Sequence, residues 1–375
     1  MPTIEKVDTT SRQQVDEFVK LSYRLYKDVP QWVPPFVVDI KTMLDRNKHP
    51  FYEHADGEFL VARQDGQVVG RLAILENRSF NQYHCKKQAQ FYLFECIDDQ
   101  ETANALFERG FEWARSHGLD EVVGPKGLSA FDGYGIQIEG TENRQMMTMM
   151  NYNFPYYQQL VENIGFTKEV DFVSCYMHYK KFKLPEKVKM ISDRVRERGA
   201  FKVQSFANKR ELKSWANRIG EAYNKTFVNN WEYYPLTERE IKFLLDNLLI
   251  AADPRLIKII TYKDDVVGFL LAFPDVSAAL QRQKGRITPW GILDIMREMK
   301  KTQWVSLNGA GVLPEYHGRG GNALLYDEME NTIHNYNFVH AELTQVAETA
   351  VQMRQDLINL GGKAYKNHRV YYKKI

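Results

Sequence analysis

Residues Gly309 to Leu325 read Gly-Ala-Gly-Val-Leu-Pro-Glu-Tyr-His-Gly-Arg-Gly-Gly-Asn-Ala-Leu-Leu, an apolar strand that ends in a Gly/Arg loop and opens directly into a helix. That order suits an anion. Backbone N–H groups at a helix start lack intrahelical acceptors, and the aligned peptide dipoles place about half a positive charge there. A phosphate can be held at such a point with few cationic side chains. Two common phosphate loops do not fit. No Lys follows these glycines, as a Walker loop requires, and Pro314 stands where the dinucleotide fingerprint needs its third Gly.

The spacing of Val312, Pro314, His317, Gly320 and Asn322 resembles the pyrophosphate loop of the GNAT N-acetyltransferase superfamily, Val-x-Pro-x-x-[Arg/Gln]-x-x-Gly-x-[Gly/Ala]. His317 replaces the usual Arg or Gln, and Asn322 the usual Gly or Ala. Asn tolerates left-handed and capping conformations, so the turn stays feasible. The resemblance implies an acyl-coenzyme A as co-substrate, acetyl-coenzyme A first, held by Gly311, Val312, Leu313, His317, Gly318, Arg319, Gly320, Gly321, Asn322 and Ala323. A glycine-rich turn without a ligand is the plainer alternative.

The elements that position this loop occur twice. Glu58 to Arg63 and Gln67 to Leu75 read as strands joined at Asp65-Gly66, a hairpin signal, and Leu256 to Tyr262 and Val266 to Phe273 repeat it around Asp264-Asp265. Val68-Val69-Gly70 matches Val266-Val267-Gly268. A strand follows each hairpin, near Gln90 to Cys96 and Gln303 to Val312, and then an amphipathic helix, near Asp99 to His117 and Gly321 to His334. The expected architecture is α/β of mixed α+β type: two tandem GNAT-like domains, 1–185 and 195–375, each a mixed central sheet flanked by helices. Tyr23 to Asp28, Trp32 to Pro35 and His49 to Ala55 also resemble a bacterial group of two-domain GNAT-like proteins. Only the second copy carries the loop. In the first, Ile97-Asp98-Asp99-Gln100-Glu101 would repel a pyrophosphate, so that domain is expected to bind no coenzyme A, with Asp98 or Asp99 as a helix N-cap.

Composition sets outer limits. The chain has 375 residues, 50 basic against 48 acidic, and a net charge of +2. That balance gives no bulk attraction to nucleic acid or anionic membrane, and neither is expected as a partner. Cys85, Cys96 and Cys175 show no metal-ligand spacing, and no metal is expected. The opening residues lack a signal-peptide pattern and no stretch is apolar for a membrane span, so a cytoplasmic protein is expected.

Acyl transfer to an amine sets two requirements. An alkyl amine with a pKa of about 10.4 is neutral in roughly one molecule in 2,500 at pH 7, so a base or desolvating pocket is needed. The developing oxyanion needs a donor, and one backbone N–H contributes roughly 3 kcal/mol. Asn308-Gly309-Ala310-Gly311 permits close backbone approach. By resemblance the strand is bulged and splayed there, and the Val312 N–H is the candidate donor. Many GNAT enzymes protonate the leaving thiolate with a Tyr on the last helix, but Leu357 occupies that place here. Tyr365 and Glu232 are the alternatives for acid and base. Trp231, Tyr233 and Tyr234, in the segment Phe227 to Pro235, would wall a pocket for a small-molecule or peptide amine. The first copy keeps tyrosines at Tyr156 and Tyr157, read as core. Arg286 to Lys301, with Trp290, is an insertion between strands, and a lid is one use for it.

The leading function is therefore acyl-coenzyme A dependent N-acyltransfer to an unidentified amine. A non-catalytic acyl-coenzyme A sensor or partner-binding module stays open, as does, behind it, a Fem-like aminoacyl transferase.

Overall fold

A computed structural model describes the chain except for residues 1, 130–131, 147–149, 182–183, 229 and 337. Its residues form two compact units that are not contiguous in sequence. The first comprises Met1–Val173, Val276–Arg297 and Lys366–Ile375, the second Ser174–Asp275 and Glu298–Tyr365.

The first unit runs β1 (Thr3–Lys6), α1 (Arg12–Leu25), α2 (Val37–Leu44), β2 (Ala55–Gln64), β3 (Gln67–Asn77), α3 (Arg78–His84), β4 (Gln88–Cys96), α4 (Gln100–Ser116), β5 (Glu121–Gly124), β6 (Ile136–Glu139), α5 (Tyr156–Asn163) and into β7 (Thr167–His178). Asp65 and Gly66 turn the β2–β3 hairpin with φ of 48° and 78°, the conformation whose twist matches that of paired strands. Strands β1 to β4 pair antiparallel, and β4 pairs parallel with β5. Leu60, Leu72 and Ile74 pack with Leu106, Phe107 and Phe111 of α4. Phe59, Val61 and Leu75 pack with Phe18 and Leu21 of α1. Burial on both faces is why β2 and β3 read as unbroken apolar runs instead of alternating ones.

The chain passes into the second unit within β7, between Val173 and Ser174. It continues through α6 (Glu186–Arg198), β8 (Phe201–Gln204), α7 (Lys209–Ser214), α8 (Ala216–Thr226), α9 (Glu238–Ala251), β9 (Ile257–Tyr262) and β10 (Asp265–Pro274), returns to the first unit for α10 (Ser277–Gln283) and most of α11 (Pro289–Lys301), and resumes the second with β11 (Trp304–Val312), α12 (Gly321–Asn335), β12 (His340–Ala347), α13 (Val351–Asn359) and the start of β13 (Lys363–Lys374). The strand order is β8-β9-β10-β11-β12, antiparallel except for the parallel β11–β12 pair. Its hairpin turns at Lys263-Asp264, one residue earlier than Asp264-Asp265, because these two residues take the positive φ, 47° and 71°. Thr237 and Glu240 close a capping box at the start of α9. Ile259, Phe269, Leu271 and Phe273 pack with Leu212 and Ile219 from α7 and α8.

Residues 366–375 complete the first unit. There β13 pairs antiparallel with β5, Tyr371 opposite Gly124 and Lys374 opposite Glu121. Arg369 holds Asp171 with two hydrogen bonds, of 2.8 and 3.0 Å. Burial alone would raise the Asp171 pKa, but the Arg369 and Lys168 hydrogen bonds hold it below the ordinary value.

Candidate functional site

Strand β11 has different partners along its length. It pairs with β12 only from Trp304↔His340 to Leu307↔Leu343, yet stays on β10 as far as Val312↔Gly268. The β10 register slips between Leu271↔Gly309 and Ala272↔Leu307, which leaves Asn308 as the extra residue of a bulge. Beyond the bulge, β11 has one neighbour. The Leu313 N–H bonds the Val267 carbonyl at 2.8 Å, so by antiparallel alternation Val312, opposite Gly268, turns its own N–H and C=O away from β10. The bulged, splayed strand expected from the loop resemblance is present, and the Val312 N–H faces the side β12 has left. A Cβ built on Gly309 would meet no atom within 4 Å.

The loop then tightens. Pro314–Tyr316 form a short 3-10 turn, and His317 swings its Nε2 back to the Val312 carbonyl at 2.7 Å. His317 thus ties the loop to its own strand. Gly318 and Gly320 have φ of 74° and 86°, and Gly320 is the N-cap of α12. A side chain at Gly320 would also strike Val195 of α6, at 2.6 Å. No side chain caps α12 and no acid lies in its first turn, so the amide dipoles there are not offset from within. Arg319, Gly318 and Asn322 are exposed around this helix start, whereas Gly321 and Ala323 are buried. Helix α6 fixes α12 in place through Asp327, which accepts from Ser192 (2.8 Å) and Arg196 (2.9 Å).

A second group of polar residues lies on the other side of the strands. Ser306 is opposite Phe273, which packs beneath α7 and α8, and Gly311 lies against Thr226 of α8. The register partners Trp304/His340 and Ser306/Glu342 share that face. Glu342 is fully buried and accepts a hydrogen bond from the Tyr365 hydroxyl. Ser306 donates to Asn308 at 2.8 Å, and Thr344 donates to the Leu307 carbonyl at 3.0 Å, where the parallel ladder stops. Trp304 stacks on His340 with centroids 4.5 Å apart, and Tyr176 meets His340 Nδ1 at 2.8 Å. Burial, then the neighbouring His178, lowers the His340 pKa.

Tyr365 is thus joined to a carboxylate that sequence reasoning missed. The signal was present in alternation: Ser306, His340, Glu342 and Thr344 are polar at every second place of otherwise buried strands. Tyr234 is buried and donates to Glu240 at 3.2 Å, so it braces the start of α9. Trp231, Glu232 and Tyr233 are half-buried in the turn before α9, with Glu232 at φ 53°. Asn229 of that segment lies outside the described residues. Leu357 is a buried core residue of α13. Its neighbour Asp356 instead faces Tyr326 of α12, whose hydroxyl lies 3.5 Å from Asp356 Oδ2 and whose pKa burial raises.

The first unit repeats this geometry with different occupants. Cys96 is opposite Gly70 as Val312 is opposite Gly268, and the Ile97 N–H bonds Val69 at 3.1 Å as Leu313 bonds Val267. A bulge with Leu93 at φ 51° precedes it, and β4 pairs with β5 only from Gln88 to Gln90. Here the Cys96 N–H bonds the Tyr157 hydroxyl at 3.0 Å, and Tyr157 in turn donates to Glu95 at 2.8 Å. Asp99, one of the two expected caps, accepts the Thr102 N–H at 2.9 Å at the start of α4. A phenol and a carboxylate of the chain itself fill the two places.

No family model matches the chain. It is 25% identical over 376 residues, 97% of this chain and 94% of the relative, to Protein YghO of Escherichia coli (strain K12). It is 24% identical over 369 residues, 96% and 95%, to the bacterial ceramide synthase of Caulobacter vibrioides. Among solved structures, a tandem GNAT protein from the clavulanic acid biosynthesis pathway matches with a TM-score of 0.57 at 12% identity, covering 100% of this chain and 98% of that one. A GCN5-related N-acetyltransferase from Sphaerobacter thermophilus matches with a TM-score of 0.52 at 14% identity, covering 100% and 95%. With its two bulged and splayed strands, each leading into a helix, the chain has the tandem GNAT fold.

Proposed function

We propose that the second unit binds an acyl-coenzyme A and transfers its acyl group to an amine. The observation that carries this reading is the contrast between equivalent places. Where the first unit supplies Tyr157 and Asp99, the second presents the Val312 N–H and an uncapped helix start. In this reading the pyrophosphate lies on the N–H groups of Gly321, Asn322 and Ala323 beside Arg319. The thioester carbonyl accepts from the Val312 N–H. The amine nitrogen attacks the carbonyl carbon, the oxyanion forms against that N–H, and the C–S bond breaks as the amide forms. Glu342, held by Tyr365, sits at the Ser306 register, roughly 16 Å along the strands from Val312, so in this reading the proton the amine loses reaches it through water, and the thiolate leaves to be protonated as free coenzyme A.

For the acceptor, the relative named a ceramide synthase is informative. A ceramide is a long-chain amino alcohol acylated on nitrogen, so its formation is this same bond. A long-chain amino alcohol is accordingly the first acceptor to test. Thermal melting with acetyl- and palmitoyl-coenzyme A tests binding, because a ligand of the folded state alone raises the melting temperature. Thiol release with a panel of amines tests transfer. No melting shift with either thioester would sink the coenzyme assignment. Leu357, in place of the helix tyrosine, favours the sensor as second reading, which predicts a shift without thiol release.

A further inference from the structure

Helix α11 turns its apolar side outward. Trp290 is 80% exposed, Met296 52%, Ile292 49% and Leu293 43%, and Ile287 just before the helix 53%. At 100° per residue, Ile292, Met296, Lys300, Leu293, Arg297 and Trp290 lie in that angular order across one arc, and the half-buried Asp294, Ile295 and Glu298 lie on the other side. The orientation is enforced from within the first unit. Asp294 receives a two-bond fork from Arg282 of α10, both at 2.9 Å, and a further bond from Gln283. Gly291 is buried so closely on Gln283 that a Cβ would lie 2.9 Å from its Oε1. The side that carries Gly291 and Asp294 is therefore the anchored one, and the apolar and basic residues of the other side are left outward.

Charge names the occupant of this face. Residues 282–301 contain six Lys or Arg against two acids, one of which, Asp294, is neutralised by Arg282. A whole-chain charge of +2 hides this local excess. Lys300 and Arg297 stand within the apolar arc, where long stems can lie along lipid while the charged ends reach phosphate. An exposed Trp beside aliphatic and basic residues is the composition of a helix that lies in a bilayer interface. Among the described residues no helix is long and apolar enough to cross a membrane.

We propose that α11 docks the protein on an anionic phospholipid surface, its Trp290, Ile292, Leu293 and Met296 face entering the headgroup boundary. Binding is read without coenzyme A, so this inference and the acyl-transfer reading fail separately. The test is flotation of the full chain with phosphatidylcholine vesicles, with and without phosphatidylglycerol. The wild type is expected to float with anionic vesicles. Ile292→Asp with Met296→Asp, and separately Arg297→Glu with Lys300→Glu, should each weaken binding by about tenfold or more. All four positions are exposed, so melting temperatures should hold. Three results overturn the proposal: no flotation of the wild type with anionic vesicles, equal flotation of the substituted chains, or substitutions that instead dissolve a self-associated form in sedimentation velocity.

Discussion

The Tyr157 hydroxyl accepts the Cys96 N–H at 3.0 Å, at the strand position that Val312 holds in the other unit. The same oxygen donates to Glu95, a half-buried carboxylate whose pKa burial raises. Tyr157→Phe would strand a buried amide and remove one of the two tyrosine donors to Glu95, the other being Tyr26. Denaturant unfolding should report a loss of about 1–3 kcal/mol, the cost of an unpaired buried polar group. The melting shift given by an acyl-coenzyme A should be unaltered. An unchanged stability would mean this bond contributes little.

At the start of α12 two effects of one substitution have opposite signs. Asn322→Asp places a carboxylate in the first helical turn, which should stabilise the ligand-free protein by about 0.3–1 kcal/mol through the helix dipole. The same charge competes with pyrophosphate and should weaken acyl-coenzyme A binding by about tenfold or more. Melting curves with and without ligand measure both. Equal shifts in variant and wild type would remove the loop from the binding site.

Glu342 separates chemistry from binding. Glu342→Gln keeps the shape and a hydrogen-bonding oxygen but cannot take a proton. Its kcat should fall by about 10²–10⁴ while the acyl-coenzyme A melting shift persists. Tyr365→Phe, acting through Glu342, should lower the same rate by less and move its pH profile. Full activity in Glu342→Gln would assign the base elsewhere.

Acid should weaken the first unit through His368. This ring is fully buried, its Nε2 3.1 Å from the Asn151 carbonyl, and burial lowers its pKa from 6.5 to about 4. Between those values the unfolded chain binds a proton that the folded chain does not, so stability falls as pH falls. The loss at pH 4.5 is roughly 2–3 kcal/mol. His368→Gln, which cannot charge, should remove that part of the pH dependence in urea titrations at pH 7 and 4.5. Parallel curves for the two proteins would exclude His368 as the cause.

The loop and its strand were legible because backbone requirements dictate residue type. Gly318 and Gly320 need positive φ, and Asp99 needs to be a short acceptor ahead of a helix. The hairpins were visible through their turns, although Lys263 took a place that Asp265 was expected to share. What the sequence left obscure came from long-range pairing. Glu342 became a candidate only when β12 was laid beside β11 and Tyr365 was brought across from β13. The outward face of α11 was equally hidden, since periodicity reveals an apolar stripe without saying which way it points.

Strand β13 has a consequence for how the protein is made. Residues 366–375 fill the place beside β5, although the whole second unit, Ser174–Asp275 and Glu298–Tyr365, is synthesised first. An emerging first unit therefore waits with an unpaired edge at β5, the kind of edge that recruits the wrong strand. Its completion is a long-range closure, slow by comparison with local pairing. Vectorial synthesis thus cannot deliver the two units one after the other; the first is finished only when the second has been read through.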